Sequence, residues 1–463
     1  MKSSEKLGEK KIMRIRAAVV VMAISVIALL ATTVIVYTRN NSPAASKDAQ
    51  MALLKDVKRE YAQIDTYAVY GNHLLLGGTV DASSYPDFDR VGMILRRADG
   101  TEVETVLKST VKNGVIRFKT YEKINTGFCL DEMKSGDYCV LFHVVLKDGS
   151  SSCISSENCT SYGNIEYYTV TKNGANRRIV MGFEHYSNSV ERLSCFAIKV
   201  RDASLPENVY DVCIDPGHGG NDPGAVAFGY HEDDINLENA LALKAALEKE
   251  GLKVCLTRDG TEDSDSMLLF AAYDSDGRVE RAVKSHAKYN FSLHLNAGGE
   301  GVKVKEGGVQ VYCPNGADIS FGQAIADNIV NYTGTGYSMS GTGLVGTGVY
   351  IRTFSEKEIK ESEENAAEMK FTPYETLSTD TTYYYMIREL GGITTGAYVD
   401  GRNPDYEKNE AYNSNIGIES YLLELGFICV EDDLGRILGN RDAYIDAIAS
   451  AICDELKIGK KVS

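Results

Sequence analysis

From Tyr210 onward, short apolar runs alternate with segments of helical periodicity, and this alternation most constrains the fold. Such an order is typical of an α/β domain with a mainly parallel sheet and helices on both faces. We expect this domain to span 208–457. The strands are predicted near 210–214, 254–256, 291–295, 308–312 and 421–425, and the helices near 237–250, 278–288, 321–332 and 442–456.

Residues 60–203 have a different pattern, in which short apolar runs are separated by turn pairs. Asp99-Gly100, Asp148-Gly149 and Asn173-Gly174 each stand between two such runs. Pairs of this kind are strong hairpin signals. The segment is therefore predicted to form an all-β, sandwich-like domain of the immunoglobulin type.

The N-terminus predicts a membrane anchor. Residues 1–16 are rich in lysine and arginine, and 17–37 are uncharged and largely apolar. A run of about 20 such residues can cross a bilayer as a helix, and the basic flank would keep 1–16 in the cytoplasm. Residues 38–59 would then be a spacer, and the rest would lie outside the cell membrane. The alternative is secretion after signal cleavage near the small residues 44–46.

The overall charge excludes one class of partner. The formal net charge is −16, and the sequence pI is near 5.0. A nucleic-acid-binding protein would need a basic surface. We therefore expect no nucleic-acid partner.

Three residues able to bind a metal or move a proton fall at or just after predicted strand ends. His218 follows the strand and Pro-Gly turn of 212–217, and His294 and Glu424 close later strands. In open α/β sheets, sites lie outside the carboxyl ends of the strands. This shared placement predicts one common site.

Two carboxylates are candidates for that site: Glu424 and the additional residue Glu232. Glu232 directly precedes the helix predicted to start near Asn236, so a loop could return it to the cleft; its alternative role is a favourable interaction with the helix dipole. His231 is a competing ligand or an exposed loop residue. Glu424 is embedded in apolar residues, where burial raises the pKa of a carboxyl group toward that of a useful acid–base catalyst. Its alternative is a side chain pointing away from a strand edge.

Several motifs, in order, resemble one known family. The runs are Asp215-Pro216-Gly217-His218-Gly219-Gly220-Asn221-Asp222-Pro223-Gly224-Ala225, Glu232-Asp233-Asp234-Ile235-Asn236-Leu237, Leu256-Thr257-Arg258-Asp259, Ser292-Leu293-His294-Leu295-Asn296-Ala297 and Leu423-Glu424-Leu425-Gly426-Phe427. With Arg278, they resemble the zinc-dependent N-acetylmuramoyl-L-alanine amidases, which are bacterial cell-wall hydrolases. The resemblance covers about 210–456 and leaves the first 200 residues unexplained.

The resemblance implies a reaction and a set of roles. His218, Glu232 and His294 would bind Zn²⁺, and Glu424 would be the catalytic carboxylate. The substrate would be peptidoglycan, cleaved at the amide between N-acetylmuramic acid and L-alanine during cell-wall remodelling or cell separation. Asp215 and Asn296 are candidates for orienting the ligands, although Asp215 could equally close the Pro-Gly turn.

The alternative function is a non-catalytic, membrane-anchored wall-binding or scaffold protein that retains this fold. The β-domain could space the enzyme from the membrane, bind wall or dock a regulatory protein.

The segment 352–417 is longer than a minimal catalytic domain needs. Ser355 and Glu358 form a capping-box pattern that opens an acidic helix, and a second helical piece is predicted over 381–390. The insertion could be a solvated surface feature, a cleft wall that selects substrate, or an inhibitory element.

Overall fold

A computed structural model describes residues 47–160, 163–169, 176–187, 192–262, 277–297, 307–369, 377–392 and 417–456. The predicted anchor at 17–37 lies outside these residues. Within them, no helix is both long and apolar enough to cross a membrane.

The N-terminal half of the described chain is built from strands. A helix, α1 (Lys47–Leu53), precedes them, and a short 3₁₀ turn covers Ala82–Ser84. The strands are β1 (Lys58–Tyr70), β2 (His73–Asp81), β3 (Phe88–Arg97), β4 (Glu102–Val106), β5 (Lys108–Lys112), β6 (Val115–Lys119), β7 (Phe128–Cys129), β8 (Gly136–Leu146), β9 (Ser151–Asn158), β10 (Ile165–Thr169), β11 (Arg177–Ser187) and β12 (Arg192–Asp202).

Hydrogen bonds connect these strands into one 12-stranded sheet. The described pairs are antiparallel except β1 with β9, which are parallel. Apolar side chains of several strands, including Tyr67, Phe118 and Phe142, bury one core. One hydrogen-bonded network joins all these strands. The separate immunoglobulin-like domain of two packed sheets therefore stays a prediction.

The second half alternates strands and helices. Its strands are β13 (Val212–Pro216), β14 (Val226–Ala227), β15 (Tyr230–His231), β16 (Val254–Leu256), β17 (Tyr289–Asn296), β18 (Gln310–Cys313), β19 (Val349–Ile351) and β20 (Glu419–Phe427). Its helices are α2 (Glu232–Lys249), α3 (Arg278–Lys284), α4 (Ser320–Thr333), α5 (Glu356–Met369), α6 (Tyr385–Leu390), α7 (Glu431–Gly439) and α8 (Arg441–Glu455).

The sheet of this half is mixed and has the order β16-β13-β17-β20-β18-β19. The first four strands are mutually parallel, and β18 runs antiparallel to β20. The prediction of a mainly parallel sheet is thus correct for its central strands, and the β18–β19 edge is reversed.

Helices cover both faces of this sheet because its strands are apolar on both sides. On one face, α2, α4 and α8 pack against residues such as Ile214, Phe291 and Leu423. On the other, α3 and α6 pack against Cys213 and Ile418.

The two halves are in direct contact at the amino ends of the central strands. Lys288 donates to both carboxylate oxygens of Asp131, at 3.0 and 3.1 Å. Asn125 donates to Glu419 at 3.0 Å, and Gly71 N–H donates to Gly417 O at 3.0 Å. The β-rich half therefore packs at the opposite end of the sheet from the strand ends that were predicted to hold the site.

Candidate metal and catalytic site

The site lies at the carboxyl ends of β13, β17 and β20. His218 stands two residues beyond β13, while His294 and Glu424 lie inside β17 and β20. These two are paired in register on neighbouring parallel strands, and a β-bulge follows immediately. The structure thus brings the three predicted strand-end residues together.

The loop after β13 is shaped so that two imidazoles can approach each other. A Cβ on Gly217 would lie 2.2 Å from Cε1 of His294, so only glycine leaves space for that ring. His218 has φ of +63°, a left-handed conformation that is uncommon for a residue with a side chain. The two rings lie 4.9 Å apart between centroids.

Arg258 holds this loop in place. Its guanidinium donates to the carbonyls of Pro216 and Gly217, both at 3.0 Å, and to Asp233 O at 2.8 Å. Arg258 therefore holds the loop through backbone carbonyls.

Glu232 is the first residue of α2, so the prediction that it sits on a loop before a helix starting near Asn236 is wrong. The helix begins four residues earlier because the acidic residues of its first turn favour a helix N-terminus. This start aims Glu232 back at the sheet. Its Oε1 lies 3.1 Å from His218 Nε2 and 3.1 Å from His294 Nδ1.

Backbone groups fix the orientation of this carboxylate. Leu295 N–H donates to Oε1 at 3.0 Å, and Ala225 N–H donates to Oε2 at 2.9 Å. The Asn236 amide donates to Oε1 at 3.3 Å. Specific hydrogen bonds therefore hold Glu232, and its role is not limited to a favourable interaction with the helix dipole.

The donor atoms of His218, Glu232 and His294 lie within 4.8 Å of one another. Two imidazole nitrogens and one carboxylate oxygen are the ligand types of a catalytic zinc site that keeps a position open. Asp222 Oδ2 lies 2.7 Å from His218 Nδ1, so Nε2, which faces Glu232, is the ring nitrogen that could bind a metal ion. The three residues fit such an ion. His231 is exposed and lies in a second group of possible metal-binding side chains, with Asp233 and Asp234.

The two carboxylates of the site have pKa values displaced in opposite directions. Burial would raise the pKa of Glu232, but hydrogen bonds and charge from His218 and His294 hold it well below its usual range. Burial, and then the charge of Glu232, raise the pKa of Glu424 well above its usual value. Such separation suits one carboxylate to metal binding and the other to proton transfer.

The histidines also differ. Burial lowers the pKa of His294 despite its contact with Glu232. Burial also lowers the pKa of His218, but its hydrogen bonds to the carboxylates of Glu232 and Asp222, and their charges, raise the pKa overall.

Glu424 is 8% exposed, which contradicts the alternative of a side chain pointing away from a strand edge. Its Oε2 has no hydrogen-bond partner among the described residues. A buried, unpartnered carboxylate oxygen is costly unless it has a role.

Tyr384 approaches Glu424 from the insertion. Its ring packs 4.6 Å from that of Tyr312, and burial, then the charge of Glu424, raise its pKa to about 12.

Asp215 is part of the strand and does not close the Pro-Gly turn. It accepts hydrogen bonds from Thr257 Oγ1 at 2.5 Å and Ser292 Oγ at 2.6 Å. It also forms a buried ion pair with Arg278 at 3.0 Å. Burial would raise its pKa, but Arg278 and these hydroxyls keep it below the usual value. Asp215 thus links β13 to Ser292 on β17, to Thr257 after β16 and to Arg278 on α3.

Asn296 donates to Gln310 Oε1 at 2.6 Å. Gln310 is the register partner of Glu424 on β18, so Asn296 links the strands on either side of Glu424.

Sequence reasoning missed Asp222, Asn236 and Gln310. Asp222 carried a usable signal, since it stands four residues after His218 in the same glycine-rich loop. Gln310 carried none, because its position depends on the antiparallel pairing of β18 with β20.

Within its described residues 352–369 and 377–392, the insertion has two structurally different parts. The Ser355–Glu358 capping box forms as predicted, with Ser355 N–H donating to Glu358 at 2.8 Å and Glu358 N–H donating to Ser355 Oγ at 3.3 Å, and α5 is mostly exposed. The alternative of a solvated surface feature does not fit α6, because Ile387 and Leu390 are fully buried. Tyr385 also contacts Arg278.

A family model described as N-acetylmuramoyl-L-alanine amidase matches residues 212–457. The chain is 39% identical over 88 residues to N-acetylmuramoyl-L-alanine amidase CwlM of Bacillus licheniformis, covering 19% of this chain and 32% of that protein. It is 35% identical over 99 residues to a germination-specific N-acetylmuramoyl-L-alanine amidase of Bacillus subtilis (strain 168), covering 20% and 42%. The matches therefore cover less than half the length of either relative. A solved N-acetylmuramoyl-L-alanine amidase from Clostridium difficile 630 is 21% identical, with a TM-score of 0.33, and the match covers 55% of this chain and 100% of that one.

Proposed function

This chain belongs to the N-acetylmuramoyl-L-alanine amidase family, and we propose that it hydrolyses the amide between N-acetylmuramic acid and L-alanine in peptidoglycan with zinc as its cofactor. The observation that carries the proposal is the meeting of His218, Glu232 and His294 beside a buried Glu424, one oxygen of which has no hydrogen-bond partner among the described residues.

His218 Nε2, Glu232 Oε1 and His294 Nδ1 would hold the zinc. When bound, zinc supplies a Lewis acid that lowers the pKa of water and polarises a carbonyl. The protein supplies the orientation: Asp222 fixes the tautomer of His218, and two backbone N–H groups hold Glu232. Partners of this kind usually raise metal affinity.

Glu424 would transfer the proton. Its raised pKa allows it to accept a proton from the attacking water and return it to the departing amine of L-alanine. Burial also places this exchange away from bulk solvent, where electrostatic interactions are stronger.

We also propose that 17–37 anchors the enzyme in the cell membrane with the catalytic half outside. The apolar run with its basic flank supports this placement. Secretion after cleavage is the alternative. A role in cell-wall remodelling or cell separation, and a regulatory partner, belong to the same proposal.

The test is digestion of purified peptidoglycan by the full chain, followed by mass spectrometry of the new termini. We expect lactyl ends on the glycan and free L-alanine amines on the stem peptides, with zinc bound to the purified protein. Glu424→Gln is the matched inactive control. Zinc-loaded protein that releases no stem peptide would overturn the proposal and favour the wall-binding alternative.

A further inference from the structure

A small hairpin next to Glu232 exposes three large apolar side chains. In it, β14 and β15 are antiparallel, with Ala227 opposite Tyr230. Val226, Phe228 and Tyr230 are 56%, 58% and 46% exposed. Clustered apolar exposure on a protein surface marks a binding site more often than isolated exposure does.

Phe228 is held in a strained conformation. Its φ is +52°, and Gly229 follows with φ of +82°, as a two-residue hairpin turn requires. Asparagine, aspartate or glycine would occupy the Phe228 position at lower cost, because bulky residues rarely adopt positive φ. The exposed ring gains no compensating burial in the fold. Strain of this kind motivates a functional hypothesis.

The hairpin is tied to the candidate metal site. Ala225 N–H donates to Glu232 Oε2 at 2.9 Å, and Glu232 N–H donates to Ala225 O at 3.0 Å. Phe228 follows Ala225 by three residues, so its backbone lies within roughly 10 Å of that contact. A polymer bound across the metal site would therefore pass the hairpin.

The acidic residues near the hairpin indicate which class of polymer would bind there. Glu232, Asp233 and Asp234 follow Tyr230 almost at once, and His231 is the intervening residue. Acidic neighbours disfavour an anionic lipid surface or an anionic polymer. A neutral sugar ring suits the site better, since aromatic side chains offer flat apolar faces together with a polar edge at Tyr230.

We propose that Phe228 and Tyr230 bind a pyranose ring of the glycan strand and so determine affinity for glycan-linked substrate. The inference rests on the proposed function, since it names the part of the substrate that this side of the site contacts. Both residues would act in binding and leave the proton transfer by Glu424 unchanged.

The test measures binding without turnover. In the full-length Glu424→Gln protein, Phe228→Asn and Tyr230→Ser are each added, and calorimetry measures binding to purified glycan strands that are stripped of stem peptides and whose lactyl carboxyl groups are converted to neutral amides. We expect each change to weaken binding about tenfold, as for an aromatic anchor. Phe228→Asn should also leave the melting temperature equal or higher, because asparagine tolerates positive φ.

Tyr332→Ser is the matched control, since Tyr332 is 50% exposed on α4. It should leave glycan affinity unchanged. Equal affinity in all variants would overturn the proposal, as would hairpin changes that alter only self-association or vesicle binding. The two proposals can fail separately. If the hairpin variants lose glycan affinity but the parent, with Glu424 intact, releases no stem peptide, the reaction is refuted and the glycan site is still supported.

Discussion

His294 and Glu424 lie directly opposite each other on the neighbouring parallel strands β17 and β20. The register places a candidate metal ligand and a candidate proton carrier side by side on the rigid centre of the sheet. A bulge follows, so that the register shifts before Asn296 pairs with Phe427.

Glu424→Gln should abolish turnover and retain zinc. The amide keeps the size of the side chain but cannot accept the proton, so we expect kcat to fall by about 10² to 10⁴. Zinc content, measured by elemental analysis, should equal that of the parent. Glu419→Gln on the same strand is the control and should keep its activity. An active Glu424→Gln enzyme would refute the assigned role.

Asp222→Ala should weaken zinc binding by about 10- to 100-fold, because His218 Nδ1 loses the partner that orients its ring. Competition with a chelator measures this change. Asp446→Ala, at an exposed position on α8, is the control. Identical zinc affinity in the two variants would show that Asp222 does not position the ligand.

Gly217→Ala should disrupt the site through a steric clash. The new Cβ would lie 2.2 Å from the His294 ring, so the imidazole must move and zinc affinity should fall at least about tenfold. Gly336→Ala is matched, since no heavy atom lies within 4 Å of a Cβ there. Normal zinc content in Gly217→Ala would contradict the packing of these two residues.

Glu419 should make stability depend on pH. Burial raises its pKa to about 7, although Tyr421 and Asn125 donate hydrogen bonds that lower it. Between its ordinary pKa of 4.5 and about 7, the folded protein keeps this proton and the unfolded chain releases it. The free energy of unfolding should therefore fall as pH rises through this range, by up to about 3 kcal/mol, and then level off.

Urea unfolding at pH 5, 6, 7 and 8 (about one pH unit apart, to resolve a titration) tests this dependence. Glu419→Gln removes the titrating group, so its unfolding free energy should change less over the series than that of the parent. Parallel curves for the two proteins would contradict the prediction.

Leu390→Ala should destabilise the protein by about 2 to 5 kcal/mol, because it removes fully buried methyl groups of α6. Lys360→Ala on the exposed helix α5 removes only a solvent-exposed ion pair with Glu364 and should change stability by less than about 1 kcal/mol. Thermal unfolding compares them. Similar losses would show that α5 and α6 contribute equally to the core.

The alternation of strands and helices was readable because buried β-strands and amphipathic helices carry different periodicities of apolar residues. The location of the candidate site was readable because parallel strands direct their carboxyl ends to one edge, which brings His218, His294 and Glu424 to the same edge. The motif order then indicated the family.

Other features depended on tertiary structure alone. The role of Gly217 as space for the His294 ring and the burial of α6 each arise from contacts between distant segments. Gln310 reaches its place beside Glu424 only through the reversed β18 strand. Local sequence determines periodicity and residue chemistry, whereas register and close packing depend on which distant segments meet, because those contacts decide which local preferences are satisfied.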